Sequence, residues 1–140
     1  MSGESVFLNI TTTQEPLGEE PSTMELQTEG TMLRHTDHTD FSYEETAVTE
    51  MDGVTTTFSV YADHIVMTRS GEKLKNTMEF YLGKPHDSLY DLGFGALLMT
   101  VTPKAMDIDL PHGAFEVEYA IDIERTPAGT NRYRVECRKM

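Results

Sequence analysis

In run after run between Val6 and Cys137 apolar side chains recur at every second position, and that period restricts the chain to half-buried β-strands. Val6, Leu8 and Ile10 alternate with Phe7, Asn9 and Thr11, and Met24, Leu26 and Thr28 with Glu25, Gln27 and Glu29. One face is shared by Phe41, Tyr43 and Glu45, and others by Val54, Thr56, Phe58 and Val60, by Met78, Phe80 and Leu82, and by Leu97, Met99 and Val101. Met106, Ile108 and Leu110 stand against Asp107 and Asp109, while Tyr133, Val135 and Cys137 stand against Arg132, Arg134, Glu136 and Arg138. The clearest set is Phe115, Val117, Tyr119, Ile121 and Ile123, opposed by Glu116, Glu118, Asp122 and Glu124. Antiparallel strands with one wet face produce this pattern and helices do not. Turn residues separate the runs: Pro16-Leu17-Gly18, Met51-Asp52-Gly53, Ala62-Asp63, Gly83-Lys84-Pro85, Pro111-His112-Gly113 and Pro127-Ala128-Gly129. Connections this short imply a meander. Roughly eight to ten strands in that order close most simply into a single up-and-down barrel, with a sandwich as the alternative.

The chain of 140 residues fits one domain, residues 1–140, with a core that needs no disulfide or metal staple. No apolar run approaches the roughly 18 residues of a membrane span. The first residues lack a basic segment and an apolar signal core, and Cys137 is the only cysteine, so a reducing, cytoplasmic setting is expected. A net charge of −13 argues against nucleic acid and anionic membranes as partners. The charge is uneven. Arg34 is the only basic side chain in residues 1–50, whereas Arg125, Arg132, Arg134, Arg138 and Lys139 crowd the C-terminus. In a sheet that closes on itself, this asymmetry leads us to expect opposite-sign pairs where the first strand meets the last.

The order of the stretches ELQTEGTM, FSYEET, IVMTRSGE, TMEFYLGK, LYDLGFGALLMTV, MDIDL, GAFEVEYAIDI and NRYRVECR resembles the YwiB-like family, bacterial domains of unknown function with a calycin-like β-barrel. The family's Tyr-x-Thr-Pro-aromatic-Gly turn is altered here: Tyr90, Phe94 and Gly95 are kept, and Leu92 and Gly93 replace Thr-Pro. The resemblance implies a barrel whose interior holds a small ligand, and it supplies no reaction.

Arg69 carries the functional question, because it shares a strand face with Ile65 and Met67 and so points inward. In a meander the strands ending near Glu45 and Arg69 finish at one rim, roughly 10 Å apart with one strand between. Arg69 is therefore expected to be held by Glu45, or by the hydroxyl of Tyr43, closing one end of the barrel. The same residues suit a ligand: an arginine fork grips an anion bidentately. Tyr43, Tyr90 and Tyr119 would supply hydroxyls, and Met24, Met67, Met78, Met99 and Met106 lie on the inner parity as core or soft wall.

The stretch RHTDHTD, residues 34–40, reads as a polar hairpin loop, since His35 and His38 converge only in a turn and zinc sites take three or four ligands. No metal and no cofactor is expected. His64, His86 and His112 show no partner spacing and read as solvent-facing. The pairs Asp107 with Asp109 and Glu116 with Glu118 lie on the wet face, so no catalytic residue is assigned. Cys137 reads as a small core residue. The favoured function is non-enzymatic binding of a small anionic or amphipathic molecule through Arg69, Tyr43, Glu45, Tyr90 and Tyr119. The alternatives are a protein–protein module with a filled barrel and, last, an enzyme using carboxylates. A monomer or a homodimer is expected.

Overall fold

The structure, a computed structural model, describes residues 3–45, 53–72, 75–91 and 95–140, the side chains of Tyr90 and Asp91 excepted. Ten strands follow one another: β1 (Glu4–Pro16), β2 (Ser22–Arg34), β3 (His38–Glu44), β4 (Thr55–Tyr61), β5 (His64–Ser70), β6 (Lys75–Tyr81), β7 (His86–Asp91), β8 (Ala96–Asp109), β9 (Ala114–Ile123) and β10 (Thr126–Lys139). Each pairs antiparallel with its neighbour in sequence, and β10 returns to β1 to close the barrel. The closing ladder is long, eleven register pairs from Val6↔Lys139 to Pro16↔Gly129. The up-and-down barrel read from the period-two pattern is the architecture found. No helix among the described residues is long and apolar enough to cross a membrane.

Inward parity holds along β1, β3, β4, β5 and β9, where buried and partly exposed residues alternate. The inner set changes from Leu97, Met99 and Val101 to Met106 and Ile108 without a turn. One 14-residue strand, β8, accommodates both sets through an irregularity between Pro103 and Ala105. One extra residue on one strand restores the alternation on the correct face.

Two expectations need correction. Pro127-Ala128-Gly129 is not a turn: it lies inside β10, where the register shifts between Pro127 and Gly129. Gly129 adopts φ 149°, and a Cβ there would meet the backbone oxygen of Glu15 at 2.4 Å. The actual β9–β10 turn is Glu124-Arg125, both at positive φ (50° and 67°). Nor is the β1–β10 seam ionic. Opposite Arg132, Arg134 and Arg138, β1 offers Thr13, Thr11 and Phe7. Arg134 and Arg132 turn instead to β9, Arg134 to Glu116 at 3.3 Å and Arg132 to Glu116 and Glu118 at 3.4 and 3.6 Å. Charge counted by segment misled because β9 presents its own acidic face in register with these residues.

Rings from opposing walls meet across the interior: Phe41 and Phe58 (β3, β4) lie 5.5 and 5.2 Å from Phe115 (β9), and Phe80 (β6) lies 4.7 Å from Tyr119 (β9). Deleting one such ring costs about 3–5 kcal/mol. This packing fills the end of the barrel near the β2–β3 turn. Toward the rim of the β1–β2 and β9–β10 turns the described residues leave the interior open.

Candidate functional site

The open end is a cavity of about 480 Å³. Its wall is apolar, with Met24, Met78 and Met99 beside Leu26, Leu97 and Ile121. At the lip Met24, Leu97 and Ile123 remain 42, 39 and 37% exposed. Its floor is polar and buried, formed by Tyr43, Glu45, Arg69, Tyr119 and Tyr133. The period of two places each of them: Tyr43 and Glu45 continue the inner set of β3, Arg69 that of β5, Tyr119 that of β9 and Tyr133 that of β10.

Arg69 does point inward and is 8% exposed. Its partner is neither Glu45 nor Tyr43. Nη2 donates to the Tyr133 hydroxyl oxygen at 2.6 Å, and among the described residues no ion pair joins Arg69 to Glu45. β5 and β10 lie five strands apart whichever way the ten-membered ring is followed, so the bond spans the lumen along a diameter. Sequence reasoning searched along the sheet, whereas closure supplied a partner from the far wall. Burial opposes the guanidinium charge, and the phenols of Tyr133, Tyr119 and Tyr43 outweigh that opposition, so the net direction of its pKa is upward. Arg69 is charged at any physiological pH.

Glu45 is 3% exposed; its backbone N–H donates to Val54 O at 2.8 Å. Thr56 Oγ1 donates to Glu45 Oε2 at 2.6 Å. Burial raises the pKa of Tyr43, and the neighbouring Glu45 charge raises it further, so its phenol keeps its proton. Four buried side-chain atoms among the described residues lack a hydrogen-bond partner: Asn9 Oδ1, Glu45 Oε1, Arg69 Nε and Asn76 Oδ1. Two of the four, a donor on Arg69 and an acceptor on Glu45, belong to residues lining this one cavity. An unmet buried polar group costs about 1–3 kcal/mol, more when charged.

Four of the five residues expected at the site, Arg69, Tyr43, Glu45 and Tyr119, converge on the cavity. The Tyr90 side chain lies outside the described residues. Tyr133 and Thr56, the two that hold the charges, were visible only as inner-parity residues. The methionines divide: Met67 is wholly buried core, while Met24, Met78 and Met99 form cavity wall.

The histidines differ from their solvent-facing expectation. His64 is stacked between Tyr61 and Tyr81, with centroids at 4.1 and 4.5 Å. His86 stands in for part of the β6–β7 ladder, its Nδ1 accepting the Glu79 N–H at 3.3 Å. Those strands share one register pair, Lys75↔Asp91, and Ser88 Oγ also bridges them by donating to Thr77 O at 2.6 Å. His112 alone fits, 82% exposed by side chain. Cys137 packs against the core, and burial pushes its thiol pKa up.

These features define a class: a closed antiparallel barrel with one filled end and an apolar cavity over a buried, charged floor. Residues 8–135 match the family described as "Domain of unknown function (DUF1934)", and the chain belongs to it. The solved structure titled "Crystal structure of ywiB protein from Bacillus subtilis" is similar at TM-score 0.72 and 20% identity, over 96% of this chain and 92% of that one. That likeness is one of fold and agrees with the resemblance drawn from the sequence. Among curated proteins, no sequence matches.

Proposed function

We propose that the protein is a non-enzymatic carrier or receptor for a small, partly apolar anion that lies in the barrel mouth with its acid group on Arg69. The single observation that carries this reading is the pair of unpartnered buried atoms, Arg69 Nε and Glu45 Oε1, on residues of one 480 Å³ cavity. A carboxylate or phosphate accepts from the Arg69 guanidinium, and a hydroxyl, amide or ammonium on the same molecule donates to Glu45. The methionine wall takes the apolar remainder, since thioethers adapt to irregular shapes. A volume of this size is ordinary for small-molecule sites, and the lined-but-open end weighs against the filled-barrel interaction module. The calycin-like resemblance supports the same reading.

The test is native mass spectrometry of the protein purified from a bacterial host, with Arg69→Met as the comparison and circular dichroism as the check on folding. A bound species of defined mass on the wild type that is absent from folded Arg69→Met supports the anchor. A species retained equally by both refutes it.

A further inference from the structure

The rim opposite the cavity carries a second group of functional side chains. Three residues, His35, Thr36 and Asp37, join β2 to β3, and the His35 N–H donates to His38 O at 2.8 Å. That turn removes the objection that histidines three apart face opposite ways. His35 and His38 become cross-strand neighbours, their rings 4.3 Å apart and 17° from parallel. Asp40 lies two residues beyond His38, hence on the same face of β3. Its Oδ2 is 3.0 Å from His35 Nε2, and its Oδ1 is 3.3 Å from His38 Nε2. One ligand atom from each of the three residues falls within 4.8 Å of the others. Bonds of about 2.0–2.1 Å around a tetrahedral ion set ligand atoms ~3.3 Å apart, and each histidine Nε2 already stands at 3.0 or 3.3 Å from one of the two Asp40 oxygens.

Supporting contacts hold the set. Asp37 Oδ1 lies 2.6 Å from His38 Nδ1, and Ser59 Oγ donates to Asp40 Oδ1 at 2.6 Å. Tyr61 stacks on the other face of His38 at 4.5 Å. A carboxylate on the far nitrogen of a histidine is the arrangement that orients metal-bound imidazoles. Both nitrogens of His38 face carboxylate oxygens, Asp37 at 2.6 Å and Asp40 at 3.3 Å.

We propose that His35, His38 and Asp40 bind one divalent transition-metal ion of the zinc class, with Asp37 as a positioning residue. Two imidazoles and one carboxylate suit Zn²⁺, Co²⁺, Ni²⁺ or Cu²⁺ rather than Ca²⁺ or Mg²⁺, which take mostly oxygen. The side chain of His35 is 38% exposed, which leaves the fourth coordination position to water or to a donor from another molecule.

The test is calorimetric titration of the full chain with ZnCl₂, with Co²⁺ absorption as a reading of coordination. Expected are one saturable ion per chain, an unchanged titration with excess Mg²⁺ or Ca²⁺, and an intense four-coordinate Co²⁺ spectrum. His38→Ala and Asp40→Asn, both in β3 and checked for fold by circular dichroism, weaken Zn²⁺ by ~10-fold or more. Asp37→Asn weakens it by about 10-fold while keeping the Co²⁺ band positions, as an outer partner does. His112→Ala, the control, leaves affinity unchanged. No saturable Zn²⁺ binding, or equal binding by His38→Ala, overturns the site; full affinity in Asp37→Asn overturns the positioning role.

Discussion

Tyr133→Phe removes one oxygen from the middle of the protein and little else. Tyr133 is 6% exposed, and its ring lies 5.7 Å from Phe58 and 6.3 Å from Tyr119, contacts that phenylalanine keeps. The Arg69 guanidinium carbon lies 6.0 Å from the ring centroid, and that weak attraction also survives. The loss is the 2.6 Å bond to Nη2, on a buried cation whose Nε already has no partner. A hydrogen bond to a charged group is worth about 1.5–3 kcal/mol, so the variant should be destabilised by about 2 kcal/mol. That corresponds to a midpoint shift of roughly 1 M urea at a slope of about 2 kcal/mol/M. With no tryptophan in the chain, unfolding is followed by far-ultraviolet circular dichroism and tyrosine emission. The same change in an Arg69→Met background should cost less than about 0.5 kcal/mol, leaving a coupling of about 1.5 kcal/mol. A Tyr133→Phe variant as stable as the wild type, or a coupling near zero, would refute the claim that this bond holds the arginine.

The β9–β10 turn gives a gain instead. Glu124 and Arg125 both sit at positive φ, where L-residues lose about 1 kcal/mol each. Replacing them with Asn-Gly should raise stability by about 1 kcal/mol, less the loss of the Glu124 contact to the Leu98 N–H and of the Arg125–Asp87 pair. A urea midpoint below that of the wild type would show those contacts to outweigh the strain. Asp87 supplies a pH signature. The hydrogen bond from Thr100, then Arg125, holds its pKa below the ordinary value of 3.8. A depressed carboxylate contributes stability that is complete above its unfolded pKa and disappears as pH falls through the folded one. The stability gap between wild type and Asp87→Asn should therefore be constant at neutral pH and narrow below about pH 4. A gap that stays constant into acid contradicts the assignment.

What could be read from the chain was local. Alternation assigned Arg69, Glu45, Tyr43 and Tyr119 to the interior because a strand's side chains must alternate, whatever the strand packs against. It even held the bulge of β8, since inner residues at odd positions through Val101 and even ones from Met106 require one extra residue between them. Contacts that depend on closure were out of reach. Tyr133 reaches Arg69 only because the tenth strand is bent round to face the fifth, and no spacing rule encodes a diameter. The histidine cluster failed for a related reason: whether His35 and His38 oppose or join depends on how the segment between β2 and β3 turns, and His35-Thr36-Asp37 is compatible with several turns. Pro127-Ala128-Gly129 reads as a turn because bulges and turns draw on the same residues.

The bond across the lumen joins residues 64 positions apart, and one partner lies in the last strand. On a ribosome, β5 is complete well before Tyr133 is made. Until β10 docks between β9 and β1, Arg69 faces a half-built trough with water as its partner, and the cavity floor lacks Tyr133. The final strand that seals the barrel also moves Arg69 from solvent to a protein partner. A guest that prefers the closed form would then act late, by slowing the release of β10 rather than by speeding the folding that precedes it.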